Sequence, residues 1–418
     1  MFRPLDAPGN KNPLARTRQP TLPPQTRSRR AHLLTQAAAE GRFALPRCNS
    51  CGTYSAPARD CCPNCLAGEF SLGDVSRRGT VLSLTDAEVP FLNYFRERAP
   101  WRVALVQLDC GPTVLAHAHF SCKMQEEIVM SLKLDKAGQA VFYAAPQGSE
   151  AIYMDDPQWR ELTADPRHRR ILITDGRHPV TPVLVKDLVN AGARQVFVGV
   201  PDEWKPLPHG HALSGDERVK LVPLDVRSER SVFDLSRACA AKIEILINTS
   251  DHIRPGGYLT PGQINHTTES MDIVALGLMR LATHFGPVMM SRGADGDTGA
   301  VAWVNVLSTY AQSPAAAFAG YCMAHAAALN LSHSLRSEMR RGGIRMMNVL
   351  VGAFDSEWFQ TMPQPKVTSR LLSREIVVGL KAGVEEVHVG AVAEDIRDRL
   401  RSNPKAAERE IASTGPGD

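Results

Sequence analysis

The chain has 418 residues, of which 43% are hydrophobic and 22% charged, values typical of a globular protein with two or three domains. No apolar run reaches the roughly 18 residues that a membrane helix needs, and the N-terminal residues lack the apolar segment of a signal peptide. Residues 1–47 hold nine Lys/Arg against two Asp/Glu, so the formal net charge of +4 arises there. No basic patch with interleaved aromatic residues follows this segment, which argues against nucleic-acid binding.

The leading segment is rich in proline and arginine. Residues 1–27 are predicted to form a disordered or extended tail, since their six prolines accompany little apolar content. Residues 27–40 are rich in Ala, Leu and Arg, which predicts a short amphipathic helix that ends at Gly41.

Two Cys-x-x-Cys pairs follow, separated by ten residues: Cys48 with Cys51, and Cys62 with Cys65. This spacing places four thiolates on two tight turns, which is the tetrahedral sulfur set that Zn²⁺ prefers. Because protein fills all four positions, no open position remains for a catalytic water. The pattern therefore predicts a structural zinc ribbon, which together with the preceding helix occupies residues 28–71.

Two alternatives concern these cysteines. The pairs are also the pattern of redox dithiols, but Pro46 and Gly52 indicate loops and not the strand and helix that flank a thioredoxin-like motif. Cys61 adjoins a ligand and is an alternative to Cys62 as the third one. The Cys-Pro-x-Cys form favours Cys62.

Residues 72–146 contain short segments in which apolar and polar residues alternate, namely Gly79–Thr85, Trp101–Asp109, Thr113–His119 and Ala140–Ala144. Several short strands within about seventy residues favour a small closed barrel, and an OB-fold is the simplest choice.

The order of helix, cysteine pairs, Gly79-Thr-Val-Leu-Ser-Leu-Thr85 and Val103-Ala-Leu-Val-Gln-Leu-Asp-Cys-Gly111 resembles the acyl-CoA-associated family with an N-terminal zinc ribbon and a C-terminal OB-fold. The resemblance covers residues 28–146. It implies a non-catalytic partner of a thiolase-like enzyme, which holds the complex together or binds the CoA arm. Three aromatic residues of loop 88–100 then face a partner or the pantetheine, or else cap the barrel core: Phe91, Tyr94 and Phe95.

Residues 147–168 have the Pro, Gly and Asp content of a linker. Over residues 169–400 apolar strands alternate with amphipathic helices, including long helices at about 263–284 and 315–340, which predicts a Rossmann-like, doubly wound parallel sheet. The strands are predicted at 171–174, 195–199, 219–223, 243–248, 287–291, 300–307 and 343–350. Residues 401–418 are predicted as a flexible tail.

This half also resembles a short-chain dehydrogenase/reductase over most of residues 168–390. The resemblance rests on Asn190-Ala-Gly-Ala193, Leu224-Asp225-Val226, Ile247-Asn248, and Ser308 followed thirteen residues later by Tyr321. It implies a catalytic set of Ser308 and Tyr321, with His325 in the place of the lysine. It also implies that the cofactor-binding positions are Thr174, Asp225 and Asn248.

The departures from the family pattern fall on the cofactor site. The glycines of the phosphate loop are replaced by Asp175, Pro179 and Thr181; a carboxylate repels pyrophosphate, and Pro179 removes an amide donor. His325 is mostly neutral at about pH 7 and cannot replace the permanent cation that lowers the pKa of the tyrosine. Val274 stands where the asparagine of the proton relay belongs. These changes argue against NAD(P) binding.

The sequence therefore predicts an auxiliary cytoplasmic subunit of a thiolase, acyltransferase or aldolase complex that acts on CoA thioesters, with structural zinc and acyl-CoA as a ligand. The pseudo-reductase half would form a homodimer or a heteromer through its two long helices. The alternative is an active NAD(P)H-dependent reductase of a β-ketoacyl-CoA, or dehydrogenase of a 3-hydroxyacyl-CoA. Different chemistry in the same cleft through His325 is a further alternative for this half. A third class of function, a nucleic-acid-binding protein that uses the ribbon and OB-fold, is disfavoured by the acidic balance of charge after residue 47.

Overall fold

The computed structural model describes residues 19–25, 27–148, 155–201, 205, 207, 213, 215–313, 315–360, 362 and 365–413. Within these ranges the chain forms two compact units. The first comprises residues 21–165 and 380–385, and the second comprises residues 166–379 and 386–413. Most of the tail predicted for residues 1–27 lies outside the described residues.

The first unit begins with a helix and a two-stranded ribbon. Helix Ala31–Ala39 is shorter than predicted, buries Leu34, and is followed by Gly41 in the left-handed region, where glycine commonly ends a helix. Strands β1, Ala44–Cys48, and β2, Phe70–Asp74, pair antiparallel. The two cysteine pairs lie at the end of β1 and in the loop before β2.

A closed five-stranded barrel follows, in the order β3-β4-β5-β7-β6, which confirms the predicted OB-fold. Strand β6 is not among the predicted strands, although its Ile128, Met130 and Leu132 alternate with other residues as in a strand and are all buried. A short helix, Asn93–Arg96, lies between β3 and β4. The strands are β3 Arg78–Ala87, β4 Trp101–Leu108, β5 Thr113–Ala118, β6 Glu127–Leu134 and β7 Ala140–Pro146.

The segment predicted as a linker contains a short helix, Pro157–Leu162. Its N-cap is Asp156, whose Oδ1 accepts from the backbone N–H of Gln158 at 2.8 Å. Trp159 and Leu162 pack against Tyr143 of β7, so this part is not a free connection. Asp156 and Pro157, which suggested a linker, instead begin this helix, because aspartate is favoured at the N-cap and proline in the first turn.

Tyr143→Phe should lower the free energy of unfolding of the first unit by about 1–3 kcal/mol. The Tyr143 hydroxyl donates to Asp156 Oδ2 at 2.6 Å in a buried site. Burial raises the pKa of Asp156 to about 6 although this hydrogen bond lowers it. Hydrogen exchange of β7 across a urea series measures the loss. Tyr54→Phe, at a half-buried tyrosine of the same unit, is the control and should change stability by less; equal losses would contradict the assignment.

The second unit is built on a seven-stranded parallel sheet in the order β10-β9-β8-β11-β12-β13-β14, which confirms the Rossmann-like prediction. Trp303 of the inner strand β12 is fully buried, and Leu278 and Phe285 pack in the same core. The strands are β8 Arg170–Ile173, β9 Gln195–Val200, β10 Val219–Pro223, β11 Ile245–Asn248, β12 Ala302–Ser308, β13 Arg345–Val351 and β14 Glu386–Val389.

Helices alternate with the strands of this sheet along the chain, as expected when parallel strands are joined by helical crossovers. They are Thr181–Asn190, Glu229–Leu235, Gln263–Ser270, Gly277–Arg292, Ala319–Met339, Ser369–Ala382, Ala391–Ser402 and Pro404–Ser413, with π-helical turns at Ser236–Ala240 and Met271–Leu276.

Two predictions for this half were wrong. Residues 287–291, predicted as a strand, lie inside helix Gly277–Arg292, where Phe285 and Met289 face the core and the apolar run therefore belongs to a helix. Residues 401–418, predicted as a flexible tail, include helix Pro404–Ser413, which buries Ala407; residues 414–418 lie outside the described ones.

One helical segment, Gln263–Arg292, is long and apolar enough to cross a membrane by length and composition. This differs from the expectation, from the sequence alone, that no apolar run reaches that length. Leu278, Leu281, Phe285 and Met289 of this segment are fully buried against the sheet, as expected of a core helix.

Candidate functional site

The four predicted zinc ligands come together. Their sulfur atoms all lie within 4.8 Å of one another, with 3.6 Å between Cys48 and Cys65 and 3.5 Å between Cys51 and Cys62. A tetrahedral Zn²⁺ with Zn–S bonds of about 2.3 Å needs sulfur separations of roughly 3.8 Å. Cys61 is exposed and lies outside the cluster, so Cys62 is the third ligand.

The ribbon lowers the pKa of two of these thiols, whereas at Cys65 the backbone amide of Ala67 acts to lower the pKa but the hydrogen bonds with Cys51 and Cys48 outweigh it and raise that pKa to about 12. Hydrogen bonds from the hydroxyl and backbone amide of Thr53 lower the pKa of Cys51 to about 6. The backbone amide of Cys51 lowers the pKa of Cys48. Since the thiolate is the form that binds metal, the cluster fits a structural Zn²⁺ with four protein ligands.

The second unit has a cavity of about 790 Å³ at the carboxyl ends of β8, β11 and β12, the place where open parallel sheets bind ligands. Five of the six predicted catalytic and cofactor residues line it. These are Thr174, Asp225, Ser308, Tyr321 and His325. Asn248 is buried and accepts a hydrogen bond from the Thr174 hydroxyl at 2.9 Å, so its side chain holds β11 to β8.

The three predicted catalytic residues form one connected group. The backbone N–H of Ser308 donates to Nδ1 of His325 at 3.1 Å, so the proton of a neutral His325 lies on Nε2. Nε2 then donates to Oδ1 of Asp251 at 3.1 Å. Tyr321 packs beside the imidazole, with 4.3 Å between the ring centroids. Both ring nitrogens of His325 are thus occupied, and neither is available as a base.

The charge beside Tyr321 is negative. Burial, and after it the carboxylate of Asp251, raises the pKa of Tyr321 well above its ordinary value. Burial also acts to raise the pKa of Asp251, but the hydrogen bond from His325 is the largest of the opposing influences, which together hold that pKa below its usual range. A reductase tyrosine that donates its proton to a carbonyl needs the opposite influence, a cation that lowers its pKa.

The phosphate loop uses its backbone amides internally. The N–H of Arg177 donates to Oδ1 of Asp175 at 2.8 Å, and the N–H of Val180 donates to Nδ1 of His178 at 3.2 Å. The N–H of Gly176 donates to the carbonyl of Gly199 at 2.7 Å, and Pro179 has no N–H. The donors that would meet a pyrophosphate at the start of helix Thr181–Asn190 are therefore satisfied by the loop and the sheet.

Asp225, predicted to lie near an adenine, is engaged by its own neighbour. Its two carboxylate oxygens accept from Nε and Nη2 of Arg227 at 3.0 and 2.9 Å, and Oδ1 also accepts the backbone N–H of Arg227. An adenine could bind there only by displacing a bidentate ion pair.

Sequence reasoning missed the roles of Asp251 and His178. Asp251 ends the stretch Asn248-Thr-Ser-Asp251, which keeps only the first residue of the family pattern at that place. The acidic residue was the one sign in the sequence that the charge of the site had changed. His178 gave no signal, because its bond to the Val180 amide depends on the loop conformation. In the first unit, Tyr94 is buried and Phe95 packs against Trp101 at 5.2 Å between centroids, whereas Phe91 is 91% exposed.

Comparisons with known proteins agree with these domains. Residues 35–71 match the model of the ChsH2 rubredoxin-like zinc ribbon domain, residues 73–123 that of the ChsH2 C-terminal OB-fold domain, and residues 169–366 that of short chain dehydrogenases. Curated proteins give no match.

Solved structures resemble the second half. A short chain dehydrogenase from Burkholderia cenocepacia J2315 in complex with NADP is 25% identical, with a TM-score of 0.52, and the match covers 58% of this chain and 97% of that one. A short-chain dehydrogenase from Streptomyces avermitilis is 19% identical, with a TM-score of 0.47 and coverage of 58% and 98%. The chain therefore carries a ChsH2-type zinc ribbon and OB-fold at its N-terminal end and a short-chain dehydrogenase domain in its C-terminal half.

Proposed function

We propose that this chain is a non-catalytic, cytoplasmic subunit of a complex in which a thiolase-like enzyme acts on CoA thioesters. Its ribbon and barrel bind the partner and an acyl-CoA, and its dehydrogenase domain joins subunits without transferring hydride. The observation that carries the proposal is the phosphate loop, whose amides are taken by Asp175, His178 and the neighbouring strand. The negative charge beside Tyr321 supports it independently.

A cavity of about 620 Å³ in the first unit supports acyl binding. Its wall is mostly apolar and includes Leu34, Val114 and Phe142. His117 also lines it, and its Nδ1 accepts from the indole N–H of Trp101 at 2.8 Å. Burial, followed by the charge of Arg27, lowers the pKa of His117 to about 4, so the ring is neutral with its proton on Nε2. An acyl chain with one carbonyl oxygen matches such a wall.

Exposed apolar side chains on the long helices support subunit association. Ile264 is 82% exposed and Met279 54%, and Leu276 and Met323 are also exposed. They lie on the helical segment Gln263–Arg292 and on helix Ala319–Met339. Burial of such side chains in a homodimer or a heteromer removes apolar surface from water.

A second function is an NAD(P)H-dependent reductase of a β-ketoacyl-CoA, or dehydrogenase of a 3-hydroxyacyl-CoA. It is favoured by the presence of both Tyr321 and Ser308 in the cavity, and by the bound NADP of the Burkholderia protein.

Calorimetric titration of the zinc-loaded protein with NADPH and NADH separates the two functions. We expect no saturable binding up to about 1 mM, because the loop has no amides to offer and Asp175 repels the pyrophosphate. The Burkholderia dehydrogenase serves as the positive control. Micromolar binding would overturn the proposal and lead to assays of β-ketoacyl-CoA reduction with Tyr321→Phe as the inactive control. If neither dinucleotide binds, co-expression with a thiolase-like enzyme should yield a complex in which the two proteins purify together.

A further inference from the structure

The cavity of the second unit contains a guanidinium that the dehydrogenase resemblance does not explain. Arg254 follows β11, lines the cavity, and lies over the ring of Trp358 at 4.7 Å from the centroid. It is half-buried, and one nitrogen donates to the carbonyl of Ile253 at 2.8 Å. Among the described residues, no carboxylate oxygen lies within 4.0 Å of its side-chain nitrogens. Its positive charge is therefore held in place but not neutralised.

The wall beside this guanidinium is apolar and aromatic. Phe354, Phe359 and Leu372 line the same cavity, and Trp358 is 39% exposed, so that part of its ring is open to a ligand. The Ser308 and Tyr321 hydroxyls lie in this cavity as well. The lining also contains the cations of Arg177, Lys205 and Arg227, but beside Trp358 the cavity offers the guanidinium of Arg254, an apolar surface and a few hydrogen-bonding groups, which is the usual composition of a small-molecule site.

We propose that this cavity binds a monocarboxylate with an apolar or aromatic body, with the carboxylate on Arg254 and the body against Trp358, Phe354 and Phe359. A guanidinium stacked on an aromatic ring is already oriented for two parallel hydrogen bonds to a carboxylate. A monoanion fits better than a phosphate, because the carboxylates in the lining outnumber its four Arg and Lys side chains and repel a dianion more strongly; these carboxylates are Asp175, Asp225, Asp251, Glu269 and Asp272.

This inference goes beyond the auxiliary role, and its outcome is separate from that of the NADPH titration. A carboxylate site on Arg254 uses neither the phosphate loop nor Asp225. Binding of a carboxylate would stand whether or not the protein also binds NADPH.

The test uses calorimetry on the full zinc-loaded chain with three acids, phenylacetate, 4-phenylbutyrate and decanoate, each compared with its primary amide. We expect saturable binding of at least one acid, and at least about tenfold weaker binding of its amide, which has the same body but no charge. Arg254→Gln should weaken binding of the acid by at least about tenfold and remove the preference over the amide. Arg254→Lys should give an intermediate loss, since lysine keeps the charge but not the planar fork.

Arg237→Gln is the matched control, because this guanidinium also stacks on an aromatic ring, that of Phe233 at 5.7 Å, but does not line the cavity. It should leave binding of the acid unchanged. Equal binding of acid and amide to the unaltered protein would overturn the proposal without any variant. So would an absence of saturable binding for all three acids up to about 10 mM, or equal losses in Arg254→Gln and Arg237→Gln.

Discussion

Cys62→Ser should abolish zinc binding and unfold the ribbon between β1 and β2. Structural zinc supplies about 10–16 kcal/mol in small zinc domains, and a serine hydroxyl does not replace a thiolate ligand. The apolar contacts around the cluster are too few to compensate: the buried residues there are Cys48, Cys62 and Phe70. The metal content of the purified protein and hydrogen exchange over Ala44–Cys48 and Phe70–Asp74 measure the two losses.

Cys61→Ser is a stringent control, because it removes the neighbouring thiol from an exposed position outside the cluster. This variant should retain about one equivalent of zinc and the protection of both strands. Zinc retained in Cys62→Ser, or lost in Cys61→Ser, would contradict the assignment of Cys62 as the third ligand. The barrel should remain folded in both variants, since its buried strands close on themselves without the ribbon's metal.

Patterns of short range in the sequence predicted much of the fold. The spacing of four cysteines defines the zinc cluster, because two tight turns leave few ways to arrange the sulfurs. Alternation of apolar residues defines most barrel strands, and the succession of strands and helices defines the parallel sheet. The prediction failed at Pro287, where helix Gly277–Arg292 continues past a proline because its apolar face packs in the core. It failed again at Pro157, which starts a helix instead of marking a linker.

The candidate site was predictable in position but not in its charge. The sequence showed that Asp175 and His325 replace a glycine and a lysine. It could not show that Asp251 lies beside Tyr321, since this depends on how β11 and helix Ala319–Met339 meet. Nor could it show that His178 and Asp175 occupy the loop amides, which is a property of the folded turn. Likewise, Arg254 could not be predicted as a binding residue from the sequence, because its contact with Trp358 joins residues about a hundred positions apart.

Asp175→Asn should stabilise the second unit at about pH 7, by roughly 1–2 kcal/mol. Burial raises the pKa of Asp175 to about 6, and the charge of Asp251 adds to this effect, whereas the backbone amide and charge of Arg177 oppose it. A carboxyl whose pKa is higher in the folded state binds its proton more tightly there. The folded state is thus favoured most below about pH 4 and loses that advantage as the pH rises to about 6. Asparagine avoids the loss and still presents Oδ1 to the Arg177 amide.

The stabilisation by Asp175→Asn should therefore be small near pH 4, increase up to about pH 6–7 and stay constant above. Hydrogen exchange of β8 in urea series at several pH values measures it, because β8 directly precedes the loop. Asp225→Asn is the matched control: it removes a carboxylate paired with Arg227 and should not stabilise the second unit at about pH 7. A variant less stable than the unaltered protein at about pH 7, or equally stabilised at every pH, would contradict the assignment. The expected result would mean that the carboxylate of Asp175 lowers the free energy of unfolding at neutral pH. In a dinucleotide-binding loop this position is a glycine and carries no charge.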